Sequence, residues 1–596
     1  MSILQALGAH YGRLLAKGAA PPYGYSIEGV SFIIVLSREG TAVDVLDSRD
    51  LTGRAPRPSR RQVPQAVIRA VNVAPNFLWD KTAYALGVTR ARNAQTPVAC
   101  RRGERDAFVD LHERLLGNVD DEGLQSFLAF LRGWDPSRYA GLPHAVEMLD
   151  ANVAFRLDGA GGELLHERAA AREVWERYLA EKVDSQRVCL VTGARAATTR
   201  LHPKIKGVYG AQSSGALLVS CNLDAFSSYG MAQGDNAPVS ESATFGYTTA
   251  LNTLLARDSG RRVRIGDTTT VFWAEAASSE ATASACEDLF AALLEPPPPT
   301  DAAASARLAD ALTALAEGRS MSAAYPELDE RTRFFVLGLA PNAARVSVRF
   351  WHEDSIGALG RRVAEHWQDL RIEPWPWKAM PAVWQLLLQT AAQGKSENIP
   401  PTLGGALMRA ILTGSRYPHS LLGAVIARMR ADKDINGGRV AVCRACLARD
   451  HRLDIEEEET PMSLDRENDN PAYLLGRLFA VYEGAQRAAL GPNINATIKD
   501  RYFGAASATP ASVFPLLERG SAAHLASLRK SDKGGLAHWF DREIDAILSG
   551  MSAAFPRSLR LEDQGRFAIG YHHQRGAARG REMSQTDTDN HHEDMA

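Results

Sequence analysis

Cysteine is scarce: six residues in 596. That is too few for a disulfide scaffold, so a reducing compartment and a cytoplasmic protein are expected. Long apolar runs are missing. No stretch reaches the roughly 18 consecutive apolar residues of a membrane-spanning helix, and none is expected. The opening Met1-Ser-Ile-Leu-Gln-Ala-Leu7 has no basic region leading into an apolar core, so a secretory signal is not expected either. Net charge is almost absent, at −2, so the total does not announce a polyanionic partner. Metal and nucleophile motifs are also lacking. Cys443-Arg-Ala-Cys446 has no second C-x-x-C, and a structural zinc site needs four ligands. The apolar helical pattern around it makes both cysteines core residues. The pairs His112-Glu113, His166-Glu167, His352-Glu353 and His592-Glu593 lack a second His one helical turn away, and His572-His573 reads as an exposed pair without a carboxylate. No nucleophile, base and orienting group assemble. No catalytic residue, cofactor or metal is expected.

Local charge is present where total charge is not. Eleven Lys/Arg face two acids, Asp80 and Glu104, between 54 and 105. Between 185 and 223 there are five Lys/Arg and no acid. A local basic field steers polyanions even on a neutral chain. The second stretch contains His202-Pro-Lys-Ile-Lys-Gly-Val-Tyr-Gly-Ala-Gln-Ser-Ser-Gly215. Glycines beside uncompensated lysines suit close approach to phosphates. The alternative is a glycine-rich turn between two strands. Gly210 to Gly215 has P-loop spacing, but Ala216 and Leu217 stand where that loop needs Lys and Ser/Thr. The following 219–240 is rich in Asn, Gln, Ser and Tyr, side chains able to bond base edges.

The pattern along the chain is α+β: a mixed N-terminal α/β region with short antiparallel sheets, followed by a C-terminal α-helical bundle. A helical face at 3–15 precedes a hairpin of 30–36 and 42–46 around Arg38-Glu-Gly40. Helices follow at 105–130 and 142–150, a strand at 152–157 and a helix at 168–182. Strands at 188–191 and 216–220 flank the glycine-lysine loop. A helix at 248–255 and a strand at 269–274 precede the stiff break Pro296 to Pro299. Strands at 333–339 and 345–351 bracket Pro341-Asn342, and helices extend to about 452. Trp351, Trp367, Trp375, Trp377 and Trp384 read as helix packing before base stacking. The acidic run Glu456 to Glu459 is a second linker, and everything strong after Pro471 is helical. Residues 582–596 carry five acids and no base, and read as a disordered tail. Three regions result: 1–295, 300–455, and 462–596 with its acidic tail.

Several segments carry a resemblance in order along the chain. They are Ile3-Leu-Gln-Ala-Leu7 with Pro21-Pro22, Ala74-Pro-Asn-Phe-Leu-Trp-Asp80, His202-Pro-Lys-Ile-Lys-Gly207, Gly210-Ala-Gln-Ser-Ser-Gly215 and Asn236-Ala-Pro-Val-Ser240. Leu337-Gly-Leu-Ala-Pro-Asn-Ala-Ala-Arg345 with Ser347-Val-Arg-Phe-Trp351 continues the set, and Gln564-Gly-Arg-Phe-Ala-Ile-Gly-Tyr571 with His573-Gln-Arg575 closes it. Together they resemble the large subunit of the type I-C CRISPR interference complex (Cascade), the Csd-type large-subunit family. The resemblance implies a non-catalytic subunit at the crRNA 5′ end. Such a subunit recognises the protospacer-adjacent motif in double-stranded DNA, helps open the duplex into an R-loop, supports the displaced strand and recruits a helicase-nuclease. Implied partners are crRNA, target DNA, the backbone and crRNA-processing subunits, a small subunit and the helicase-nuclease, with no membrane.

On that reading Lys204 and Lys206 hold phosphates, and Gly207, Gly210 and Gly215 let backbone approach a groove. Gln212, Ser213, Asn222 and Gln233 are candidates for base contact or strand separation. Asn72, Asn76 and Lys81 form a second candidate set. The resemblance also implies a small-subunit-like bundle released from an internal start. Met462, after the acidic linker, is the candidate. Residues 462–581 hold sixteen Lys/Arg against twelve acids, compatible with lining a displaced strand. The alternative function is a stand-alone metal-dependent nucleic-acid-processing enzyme with scattered carboxylates; a scaffold touching only protein is a third.

Overall fold

A computed structural model describes residues 1–593 except 54, 68, 70–72, 92–97, 160, 182–185, 276–278, 299, 492–493 and 552–553. With 50% helix and 15% strand the fold is α+β, with short antiparallel sheets first and helices last. The chain divides into two compact units. An N-terminal unit comprises Ser2–Pro203 and Ser220–Ala250; a C-terminal unit comprises Met1, Lys204–Val219 and Leu251–Ala596.

In the N-terminal unit the expected hairpin forms as Phe32–Leu36 against Ala42–Asp47. Phe32–Leu36 also pairs in parallel with Asn152–Leu157, which takes Trp79–Lys81 on its other edge. Alternation sorts the side chains. Phe32, Ile34, Leu36, Val153 and Phe155 enter a core with Phe108 and Phe127, from helices Arg102–Leu116 and Glu122–Gly133. Ile33, Ala154 and Trp79 turn to the other face and meet Val30 and Val63. His112 sits inside the first core. Its Nε2 accepts from the backbone N–H of Leu78 at 2.8 Å and its Nδ1 bonds the Phe108 carbonyl at 2.6 Å. It is a structural acceptor and no ligand.

The C-terminal unit is built on a four-stranded antiparallel meander, Arg262–Ile265, Thr268–Ala274, Arg333–Asn342 and Arg345–Ser355. The two central strands are nearly continuously buried, Thr268–Ala274 as a β-branched and aromatic run and Arg333–Asn342 as a mostly apolar one. Phe272 and Phe334 pack with Phe290 beneath them. Trp351 stacks on Phe335 at 5.6 Å on the other face. Gly338 makes room on the Phe272 and Phe334 face: a Cβ would lie 2.3 Å from the Phe350 ring, where the ladder also shifts register.

One apolar core runs from this sheet into the last helix. Pro471–Leu490 begins with Asn470 capping Ala472 and Tyr473 and crosses Leu561–Glu593 at backbone contact. A Cβ on Gly476 would fall 2.0 Å from the Phe567 carbonyl, and one on Gly570 2.1 Å from that of Tyr473. Cys443 and Cys446 lie inside helix Gly437–Arg452, fully within the core. Burial pushes the Cys443 thiol up to about 12 and holds Cys446 well above the usual thiol range.

Several expectations need correction. The strand read at 188–191 is Gln186–Val188, paired with Arg195–Ala197. The apolar run 216–220 makes only single bridges, Ile205 with Ala216 and Leu217 with Arg345. His573 is buried and bonds Tyr473 at 3.0 Å; adjacent helical residues point about 100° apart, so one member of the pair faces inward. Trp367 is core, yet Trp375 and Trp384 are exposed. The final helix runs to Glu593, beyond the expected end of the bundle; no Pro or Gly follows Gly580 to stop it.

Candidate nucleic-acid interface

Residues 204–217 cross the meander of the C-terminal unit strand by strand. The Gly207 carbonyl accepts from Arg262 Nη1 at 3.2 Å, on the first strand. The Tyr209 N–H donates to Thr269 Oγ1 at 2.9 Å, on the second. Gly210 lies against Pro341 of the third, where a Cβ would stand 3.3 Å from its ring. Leu217 donates to the Ala344 carbonyl at 3.0 Å and accepts from Val346 N–H at 2.9 Å, joining the fourth. The segment is closed on itself by two Ile205–Ala216 backbone bonds of 2.8 and 2.9 Å. Asn252 clamps its start, accepting from Lys206 N–H and donating to the Lys204 carbonyl.

This frame decides where the charges go. Ile205 is buried, so Lys204 and Lys206, two apart in an extended stretch, both emerge on its exposed side. Lys204 Nζ donates to Ser214 Oγ at 3.2 Å. Gly215 carries φ +90°, and a Cβ there would sit 2.9 Å from Lys204 Cβ and 3.2 Å from Lys206 Cγ. The lysine stems therefore rest on the bare glycine. Gly207, Gly210, Gln212 and Ser213 are exposed and Gly215 is buried. No helix follows Gly215, which separates this loop from a P-loop.

Two further residues join this surface. Arg262 and Arg264 alternate with buried Val263 and Ile265 and so share a face. The Arg264 guanidinium lies over the exposed Tyr209 ring, 3.3 Å from its centre. The signal was legible as alternation in Arg262-Val-Arg-Ile265, but which strand underlies the loop is a matter of tertiary pairing. A glycine-rich backbone, two lysines, two arginines and a cation-backed aromatic ring form a surface able to hold phosphates and stack a base.

The remaining candidate contact residues belong to the N-terminal unit, and Met462 to the C-terminal one. Asn222 is exposed, with its Oδ1 bonded to Ser220 Oγ at 3.2 Å. Gln233 accepts from Arg200 Nε. Asn76 is buried; its Oδ1 accepts from Val67 N–H at 2.9 Å and its N–H donates to Asp80. Lys81 is exposed at the end of Trp79–Lys81. Asn72 lies outside the described residues. Met462 is exposed, and its carbonyl accepts from Glu373 N–H at 2.7 Å. Among the described residues no three His, Cys, Asp or Glu side chains converge as a metal site, and no helix is long and apolar enough to cross a membrane.

The basic, glycine-rich segment thus lies exposed on an α+β frame. The family model described as CRISPR-associated protein (Cas_Csd1) matches residues 7–579. The chain belongs to this family, and is a subunit of a CRISPR Cascade complex that works with other Cas subunits. No curated protein matches it.

Proposed function

We propose that this chain is the non-catalytic large subunit of a type I-C surveillance complex and that the 204–217 segment contacts the protospacer-adjacent motif. The observation that carries the reading is the family match over 7–579 together with two lysines held outward on one glycine-hinged, acid-free segment. Base pairing to the guide reads the target, so the protein needs only phosphate anchors and a short flank contact. Lys204 and Lys206 anchor phosphates. Gln212 and Ser213, at the exposed tip, contact the flank. Asn222, Gln233 and the Asn72, Asn76 and Lys81 set are a second contact region within 1–295. Duplex opening and support of the displaced strand follow, with 462–596 lining that strand and the helicase-nuclease recruited afterwards.

The test is binding of the assembled, guide-loaded complex to matched duplexes that differ only in the flanking trinucleotide. Lys204→Ala/Lys206→Ala/Gln212→Ala should lose flank preference, and its affinity should become less salt-dependent by about two phosphate contacts' worth of slope. Equal discrimination by wild type and variant would remove the segment from the reading.

We further propose that translation from Met462 yields the bundle as a separate product. Met462→Leu should abolish a short chain seen on denaturing gels; its persistence would reject that start.

A further inference from the structure

The most exposed large apolar side chain of the described residues is Tyr229, at 98%. It is also conformationally costly. Tyr229 has φ +52° and Gly230 φ +72°, the signature of a tight turn whose two central residues are normally Asn and Gly. Ser228 and Met231 close the turn through a 2.9 Å backbone bond. A bulky residue in the left-handed region is an outlier, and such outliers gather where function needs them.

The turn is held rigid. Asn236 Oδ1 accepts from Ser228 N–H at 3.3 Å, and its Nδ2 donates to the carbonyls of Met231 at 3.0 Å and Gln233 at 3.2 Å. One amide thus fastens both legs. The base of the turn is pinned too. A Cβ on Gly234 would lie 2.2 Å from the Thr199 carbonyl. Arg200 bonds Gln233, and Arg187 pairs with Asp235 at 3.4 Å. Arg195 is exposed on the adjoining ribbon. The ring is therefore presented on a fixed pedestal that carries Arg187, Arg195 and Arg200 alongside Asp224 and Asp235, the last paired with Arg187.

We propose that Tyr229 is a base-stacking residue, laid against the face of an unstacked nucleobase whose neighbouring phosphates are held by Arg195 and Arg200. A rigid aromatic with arginines beside it suits a nucleic acid, since every base offers a π-face and every linkage a negative charge. The proposal rests on the nucleic-acid reading above and adds a contact in the N-terminal unit that is separate from the 204–217 segment.

The experiment uses the assembled complex on target duplexes carrying 2-aminopurine at successive positions through the flank and the first opened base pairs. With wild type and Tyr229→Phe, one position should be quenched by stacking. With Tyr229→Ala and Tyr229→Asn that position should brighten several-fold, and affinity should fall about ten- to hundredfold. Asn tolerates the left-handed region better than Tyr, so Tyr229→Asn should melt no lower than wild type. That separates lost contact from lost fold. If no position responds to Tyr229→Ala while the complex still binds, the stacking role is overturned and the nucleic-acid reading stands. If wild type binds no DNA, that reading falls and this one with it. If Tyr229→Ala instead blocks assembly with the other subunits, the tip is a protein contact and the proposal is overturned.

Discussion

Gly215 shows how a residue with no functional group controls two that have one. Its φ of +90° strains any L side chain, and a Cβ would press on the Ile205 carbonyl at 2.9 Å and on both lysine stems. Gly215→Ala adds no charge and removes none. It should nevertheless lower target affinity about tenfold, close to the effect of Lys204→Ala/Lys206→Ala, because both ammonium groups are displaced together. Gly318→Ala is the control: its φ is +72° with nothing within 4 Å of a Cβ. It imposes the same kind of backbone strain with no clash, and should leave affinity at the wild-type level. Titration of both variants in the assembled complex decides the matter. Wild-type binding by Gly215→Ala would mean that the lysines do not depend on the glycine for their placement.

At the scale of elements, what the sequence displays depends on how locally each element is decided. The 32–36 and 42–47 hairpin was legible because its two apolar runs and the Arg38-Glu-Gly40 turn between them lie within sixteen residues. Arg333–Asn342 and Arg345–Ser355 were legible for the same reason. Ribbons of three residues, such as Gln186–Val188 with Arg195–Ala197, were misplaced because their pairing is decided by partners and not by propensity. Ala216-Leu-Leu-Val-Ser220 reads as a strand by composition, yet it only crosses the end of the sheet and meets one partner at a time. The candidate segment itself was visible as lysines and glycines without acids. That Arg262 and Arg264 join it was not, since only the fold lays residues fifty apart over Gly207 and Tyr209. Nor does a sequence show that the Asn76 amide is already engaged by a backbone N–H.

Across the whole molecule the four most strongly buried histidines act in one direction. Burial pushes His112, His366 and His573 down to about 3 and His166 to about 4. Neighbouring cations add to this: Arg105 at His112, Arg449 and Arg452 at His366, Arg444 at His573, and Arg61 and Arg172 at His166. An unfolded histidine protonates near 6.5, so below that pH the unfolded chain binds protons that the folded chain refuses. The stability these groups contribute is therefore complete above about 6.5 and is lost progressively as pH falls towards the folded values, by at most about 1.4 kcal/mol per pH unit for each. His112 and His166 lie in the N-terminal unit, His366 and His573 in the C-terminal one, so both units share the loss. Calorimetric melts should hold steady from pH 8 to 7 and drop together between 6.5 and 4.5. His112→Gln, which removes one titrating group, should melt lower at pH 7.5 yet lose less between 7.5 and 5. A melting temperature that stays level down to pH 5 would show that these imidazoles accept protons within the folded chain.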